Sequence, residues 1–296
     1  MRIVHFSDPH AGGWPQSGSA FFDKRIIGAF NYNFRRKAHF KIDRLQTAIE
    51  KSFLLNPQVV IVTGDITSVS EPWEFELACR ILKPLVESDI KLIYIPGNHD
   101  AYVKNRQCRQ ALERSFNYLN QGRYELKSLP CIEAYKNVNF VLLNEALPTS
   151  PVFSCGQLCE DSAKQLNAPL KEGEIRIAVG HFPALDANKD EISFRRKLYG
   201  NEALKKALND GKVHASLCGH IHKPFINQYG KSSFEICAGS ITSNGHINVL
   251  DINQVDGTLH QHWEIIDQNS TVKSTKIFAN FPNLNYSTDN LLCQVK

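Results

Sequence analysis

Residues 92–100 read Leu92-Ile93-Tyr94-Ile95-Pro96-Gly97-Asn98-His99-Asp100, an apolar run that Pro-Gly stops and that then delivers an amide, an imidazole and a carboxylate in succession. Four more segments share this design. Arg2-Ile3-Val4-His5-Phe6 leads to Asp8-Pro9-His10, and Val59-Val60-Ile61-Val62 leads to Gly64-Asp65. Ile175-Arg176-Ile177-Ala178-Val179 leads to Gly180-His181, and Gly219-His220-Ile221-His222 completes the series. Each segment alone is weak, because Gly-Asp is a common turn and Asp-x-His is ordinary surface. In this order, polar groups fall at the carboxyl ends of β-branched runs, which is where open α/β sheets gather ligands.

The intervening sequence has helical period. Ile42, Leu45, Ile49 and Phe53 recur on one face, and Asn56-Pro57 ends that helix before the Val59 strand. Residues 71–86 repeat the pattern with Leu77, Ile81 and Leu85, so the first hundred residues predict a βαβαβ unit with a mainly parallel sheet. Further helices are expected at 105–119, 157–166 and 202–208, with short strands near 131–135, 139–143 and 213–218. From Phe225 to Trp263, turn signals at Tyr229-Gly230-Lys231, Ser243-Asn244-Gly245 and Asp256-Gly257 divide short strands, expected to build a second sheet packed on the first. The expected architecture is a four-layer α/β/β/α sandwich. One domain is expected over 1–267, with 11–41 as an insertion beside the site and 268–296 as a polar tail.

The 296 residues are 42% apolar and 22% charged, the balance of a globular chain with a real core. No stretch approaches the roughly 20 apolar residues of a membrane span, and Met1 leads into the first strand with no signal peptide, so a cytosolic location is expected. Eight scattered cysteines form no disulfide framework, and Cys155 and Cys159 are expected on one face of a helix starting near Gly156. His5 is expected in the sheet as a satisfied histidine. His260 and His262 share a strand face without a role, and His246 could approach the site.

The five ligand-bearing segments, from Asp8 to His222, resemble the calcineurin-like metallophosphoesterase superfamily in order and identity. That resemblance implies Asp8, His10 and His222 as ligands of one metal, Asn98, His181 and His220 as ligands of another, and Asp65 as the bridge. It implies His99 as a catalytic group outside the coordination shell, backed by Asp100. Pro9, between the first two ligands, departs from the commonest wording, but its fixed φ suits a strand exit. The residue types make chemical sense independently. Two divalent ions about 3.5–4 Å apart acidify water and clamp a phosphoryl group for in-line displacement. Mixed imidazole, carboxylate and amide donors suit Mn, Fe, Zn, Co or Ni better than Ca, and Mn is the expected metal. A histidine, with an unperturbed pKa of about 6.5, is a suitable proton donor to the leaving group.

Residues 21–41 hold six Lys or Arg against the single Asp23, in a chain whose net charge is +4. Phe22, Ile26, Ile27, Phe30 and Phe34 approximate a helical stripe, with basic residues toward both ends. Such a basic amphipathic helix suits an anionic membrane surface or a lipid with a phosphorylated head, although an ordinary core helix with snorkelling cations has the same pattern. Arg25, Ile27, Phe30, Arg35 and Arg36 are therefore candidate substrate-binding residues. The Gly28-x-x-Asn31 wording followed by Arg35-Arg36-Lys37 is similar to a subgroup of bacterial metallophosphoesterases that includes a UDP-diacylglucosamine pyrophosphatase of lipid A synthesis. The expected substrate is a nucleotide-linked lipid of that kind, cleaved to UMP and a lipid monophosphate at the inner face of a membrane. A soluble cyclic-nucleotide or other phosphodiesterase is the alternative. No specific nucleic-acid partner is expected, because the interleaved aromatic and basic pattern of a nucleic-acid module is missing. A scaffold that merely retains a metal site would need a degraded motif, and none is degraded.

Overall fold

A computed structural model describes residues 1–31, 33, 40–253, 258–266 and 273–275. The chain opens with β1 (Arg2–Phe6), then a short 3-10 turn at Gly18–Phe22 and helix α1 (Lys24–Asn31). It continues through α2 (Asp43–Leu55), β2 (Val59–Thr63), α3 (Pro72–Val86), β3 (Lys91–Ile95) and α4 (Arg106–Leu119). Next come β4 (Cys131–Tyr135), β5 (Val138–Leu142), β6 (Gly156–Gln157), α5 (Glu160–Asn167), β7 (Ile175–Val179), β8 (Leu198–Tyr199), α6 (Glu202–Asn209) and β9 (Ala215–Cys218). Last are β10 (Phe225–Tyr229), β11 (Ser233–Cys237), the single turn α7 (Ile241–Asn244), β12 (His246–Asn253), β13 (Thr258–Ile265) and β14 (Lys273–Thr275).

Local signals set the helix ends. Asn56 closes α2 in the left-handed region at φ 50°. Glu71 and Glu74 form a reciprocal capping box ahead of Pro72, which as a first-turn proline sacrifices no hydrogen bond. The Asn105 side chain accepts the Gln107 and Cys108 N–H groups at the start of α4.

Two six-stranded sheets result, in the orders β14-β13-β12-β1-β2-β3 and β10-β11-β9-β7-β5-β4. Parallel pairing joins β1, β2 and β3 in the first sheet and β5, β7, β9 and β11 in the second, with antiparallel strands at the flanks. Ile3, Ile61 and Ile93 from the first sheet share one buried cluster with Phe140, Ile177 and Ile236 from the second, so the sheets enclose a common core. Leu166, Leu204 and Leu208 of α5 and α6 form a further cluster with Val141 and Ala178 on the second sheet. This is the expected sandwich of two mixed sheets flanked by helices.

Three details differ from the sequence expectation. The strands after Asn244 do not extend the second sheet. β12 pairs antiparallel with β1, from Arg2 opposite Asp251 to His5 opposite Asn248, so the chain returns to its first sheet. Ser243-Asn244-Gly245 is no hairpin but a helical turn closed by Gly245 at φ 68°. Gly156 lies on β6 rather than on a helix, and Cys159 caps α5 through its Sγ. In the expected tail, Lys273–Thr275 pairs along β13, and the other residues of 268–296 lie outside the described residues.

Candidate metal centre

Both sheets contribute to one cluster. Asp8 and His10 follow β1, Asp65 follows β2, and Asn98 follows β3. From the second sheet, His181 follows β7, while His220 and His222 follow β9. Five of these residues turn their side chains inward from left-handed backbone: Asp8 at φ 53°, His10 at 47°, Asp65 at 52°, His220 at 67° and His222 at 60°. Non-glycine residues adopt that region at a cost of about 1–2 kcal/mol each, so the strain is concentrated where the strands deliver their polar groups. The loops also approach too closely for side chains. A Cβ on Gly97 would lie 2.2 Å from Asp65 Oδ1, and one on Gly219 would lie 2.2 Å from Asp8 Oδ2.

Two groups of donors form, and they meet at one oxygen. His222 Nε2 stands 3.1 Å from Asp8 Oδ1 and 3.0 Å from His10 Nε2. In the second group, Asn98 Oδ1 lies 2.9 Å from His220 Nδ1 and 3.2 Å from His181 Nε2. Asp65 Oδ2 lies between them, 3.8 Å from His10 Nε2 and 3.3 Å from His181 Nε2. One atom each from Asp8, His10, Asp65 and His222 falls within a 4.8 Å span.

Backbone carbonyls fix which ring nitrogen faces inward. His10 Nδ1 donates to Thr67 O at 3.2 Å, His181 Nδ1 to Thr63 O at 2.6 Å, and His220 Nε2 to Arg196 O at 2.9 Å. Each opposite nitrogen then faces the cluster, where a metal would take its lone pair, the usual outer support of a metal-binding imidazole. Asp8 Oδ1 is buried and accepts no hydrogen bond. Converging lone pairs around a buried, orphaned carboxylate oxygen repel one another unless a cation lies among them, so these donors fit divalent metals.

The electrostatics show the same demand. Burial opposes ionisation of Asp8 and Asp65, yet His222 and His10 around the first, and His181 and His99 around the second, hold both carboxyls well below the ordinary range. Burial also works to neutralise His181, but Asp65 outweighs it and raises the imidazole pKa to about 10. Positive charge is held at this point by protons when nothing else supplies it. His220 goes the opposite way, kept neutral by burial and by the neighbouring His181.

His99 and Asp100 sit at the edge of the cluster. The His99 N–H donates to Asp65 Oδ1 at 2.7 Å, and its ring Nδ1 lies 2.5 Å from Ser68 O. Asp100 is buried. Its carboxylate accepts from Thr67 N, Thr67 Oγ1, Tyr94 Oη and Gly97 N at 2.9–3.0 Å, which fixes the loop carrying Asn98 and His99. Burial and the nearby Asp65 charge raise its pKa to about 6. A cleft of about 360 Å³ opens over Asp65, Asn98, His99, His220 and His222, and Arg195 and Arg196 also line it. A larger cavity of about 650 Å³ lies beside α4, but it contains only Asp100 of the cluster.

Several supporting residues lack a warning in the sequence. Glu145 accepts the His181 and Phe182 N–H groups at 2.7 and 3.0 Å. It ends the Val141-Leu142-Leu143-Asn144 run as the other polar groups end theirs, which is the one signal that could have found it. Ser240 Oγ and Thr242 Oγ1 donate to the carbonyls of Asp8 and Pro9 at 2.8 and 3.0 Å. Arg195 and Arg196 carry no motif at all.

The insertion differs most from expectation. Helix α1 is inside out, with Lys24 and Arg25 buried while Ile27 and Phe30 are 53% and 54% exposed. Arg25, 1% exposed, does not face substrate. Its guanidinium binds Asp23 at 2.8 Å, Ser19 at 2.9 Å and Ser17 at 3.1 Å, and it pairs with buried Glu71, which caps α3. A buried carboxylate makes a buried guanidinium tolerable, and apolar residues take the surface instead. Arg35 and Arg36 lie outside the described residues. Elsewhere, His5 bonds Thr63 Oγ1 at 2.9 Å inside the sheet, where burial lowers its pKa to about 3. His246 packs against Trp263, and His262 faces Glu264.

The calcineurin-like phosphoesterase family model matches residues 1–224. A probable cyclic nucleotide phosphodiesterase of Vesicomyosocius okutanii is 24% identical over 196 residues, 65% of this chain and 72% of that protein. Metallophosphoesterase 1 of Danio rerio is 27% identical over 149 residues, 48% of this chain and 36% of that protein. In fold, the chain is similar to a dimetal phosphatase from Danio rerio, with a TM-score of 0.59 and 14% identity over 94% of this chain and 99% of the other. With its five polar loops gathered on two facing sheets, this chain belongs to the calcineurin-like phosphoesterases and is a metal-dependent phosphoric ester hydrolase.

Proposed function

We propose that the chain hydrolyses a phosphodiester or pyrophosphate bond, with Asp8, His10 and His222 holding one divalent ion, Asn98, His181 and His220 a second, and Asp65 shared between them. The position of Asp65 Oδ2 between the two donor groups carries this assignment. Manganese is the preferred metal, since hard oxygen donors and imidazoles are mixed and no thiolate takes part. Bound there, two such ions would supply a water nucleophile at neutral pH and neutralise the phosphoryl oxygens.

The chain's own groups do the rest. With Nδ1 held by the Ser68 carbonyl, His99 presents Nε2 as the atom that protonates the departing oxygen. Asp100 acts only through the loop that it pins. Arg195 and Arg196 line the cleft as counter-charges for the anionic substrate.

A nucleotide-linked diacyl lipid such as UDP-diacylglucosamine is the preferred substrate, taken from the inner face of an anionic membrane. Supporting this choice, the insertion exposes four large apolar residues, Phe21, Phe22, Ile27 and Phe30. Among the described residues no helix is long and apolar enough to cross a membrane. A soluble cyclic-nucleotide phosphodiesterase is the second possibility, favoured by the relative that bears that name. Turnover of a UDP-linked diacyl lipid in mixed micelles, cyclic AMP and an aryl phosphodiester by the Mn-loaded protein decides between them. The lipid should be preferred, and Ile27→Ser with Phe30→Ser should depress lipid cleavage far more than aryl ester cleavage. A cyclic nucleotide turned over best, or equal loss on both esters, would overturn the lipid assignment.

A further inference from the structure

One face of the His99 ring is covered by Tyr102, three residues on. The two rings stack with centroids 5.3 Å apart and planes 10° from parallel, while His10 meets His99 edge-on at 4.8 Å. Behind Tyr102 stands the insertion. Lys24 Nζ lies 3.9 Å from the Tyr102 centroid and donates to Thr149 O at 2.7 Å. Gly28, one turn further along α1, is the residue whose place in mid-helix lacks a local reason, since glycine costs about 1 kcal/mol there relative to alanine. Its reason is Tyr102: a Cβ at position 28 would lie 2.7 Å from both Tyr102 Oη and Val69 Cγ1.

These contacts form a chain from the insertion to the proposed proton donor. A histidine anchored by one hydrogen bond at Nδ1 can still tilt about that bond. A parallel aromatic face removes this freedom, and the Lys24 cation over the tyrosine ring holds that face in place. The Arg25–Glu71 pair ties α1 to the residue that caps α3.

We propose that Tyr102 is a positioning residue for His99 and that α1, through Lys24 and Gly28, holds Tyr102 in register, which makes the insertion a working part of the catalytic centre. This rests on His99 being the proton donor. A misaligned donor matters most when the leaving group is a poor one, because a good leaving group departs without a proton. The distinctive signature is therefore selectivity between leaving groups and not a general loss.

The experiment compares Mn-loaded wild type with Tyr102→Leu, Tyr102→Phe, Gly28→Ala and His99→Ala on a phenyl and a p-nitrophenyl phosphodiester. A crystal structure of Tyr102→Leu accompanies the kinetics. Tyr102→Leu should lower kcat for the phenyl ester roughly tenfold more than for the nitrophenyl ester, a part of the 10²–10⁴ that a general acid supplies. KM and metal content should hold, and the His99 ring should occupy more than one orientation. Tyr102→Phe should restore both substrates, and Gly28→Ala should lose in the same direction as Tyr102→Leu. An unmoved His99 ring, or equal losses on both esters in Tyr102→Leu, would overturn the positioning role. If His99→Ala itself does not discriminate between the esters, the proton-donor assignment fails, and the ring orientation in Tyr102→Leu still decides whether Tyr102 positions it.

Discussion

His10 Nε2 and His222 Nε2 face each other at 3.0 Å, although they come from different sheets and lie 212 residues apart in sequence. Thr67 O takes the proton on the far side of the His10 ring, so the near nitrogen offers a lone pair. Without metal, only a proton on His222 Nε2 can satisfy that lone pair, whereas a cation between the donors would satisfy both rings and the carboxylates beside them. Metal should therefore stabilise the fold as well as the transition state. At a free metal concentration of 100 times Kd, the gain is about 3 kcal/mol. Scanning calorimetry should show the melting temperature falling on chelation and returning with Mn. An identical melting temperature in chelator would contradict the fit of metal to these donors.

Asp65 should be the least replaceable ligand. Asp65→Ala removes the oxygen next to both donor groups, so metal analysis should find less than one equivalent bound and turnover should be nearly abolished. Glu145→Ala is the useful contrast. It leaves the ligands in place but frees the His181 loop, and loss of such an outer partner typically costs 10–100-fold in metal affinity or activity. Equal metal content in Asp65→Ala and wild type would remove Asp65 from its bridging position.

Arg25 should behave as a buried structural cation. Arg25→Ala leaves Glu71 buried without its counter-charge, a change that costs about 3–5 kcal/mol, to be read from urea unfolding. The folded fraction should keep its p-nitrophenyl esterase activity within a few-fold, since the guanidinium does not reach the cleft and that leaving group departs without a proton. A loss under about 1 kcal/mol, as for surface pairs, would place Arg25 in solvent.

Glu235 provides a pH signature away from the metals. Burial raises its pKa from the ordinary 4.5 to about 7, although Ala184 N–H and Tyr229 Oη–H donate to it at 2.7 and 3.2 Å. The native state thus holds this proton more tightly than the unfolded state. Stability from this group is full below pH 4.5, falls as pH rises toward 7 and is flat beyond, a total on the order of 3 kcal/mol. Glu235→Gln should abolish that slope in unfolding free energies measured from pH 4.5 to 8. A slope unchanged in the variant would assign the titration to another group.

The strands that carry the ligands were legible because each is a short, doubly buried apolar run stopped by glycine or proline. So was the convergence of Asp8, His10, Asp65, Asn98, His181, His220 and His222 on one cluster, since their types and order constrain one another. Sheet membership was not. Nothing in Ile247–Ile252 distinguishes an extension of the second sheet from a return to β1, because strand pairing is decided by distant partners. Helix α1 was misjudged for a related reason: Arg25 reads as a surface cation until Glu71, 46 residues later, is known to lie beneath it. Tyr102 was missed because a stacking face leaves no spacing pattern in a sequence; Glu145 does end an apolar run, but an acceptor for backbone N–H groups has no motif beside it.

The left-handed conformations of Asp8, His10, Asp65, His220 and His222 bear on how this protein can be improved or drift. Glycine would relax the backbone at each of those five positions, by about 1–2 kcal/mol each. Every such step would erase a donor atom, and with it the metal-linked stability and the backbone hydrogen bonds that Asp8 and Asp65 accept. Stabilised variants of this enzyme should therefore accumulate their changes in the helices and outer strands and leave these strained loop residues untouched.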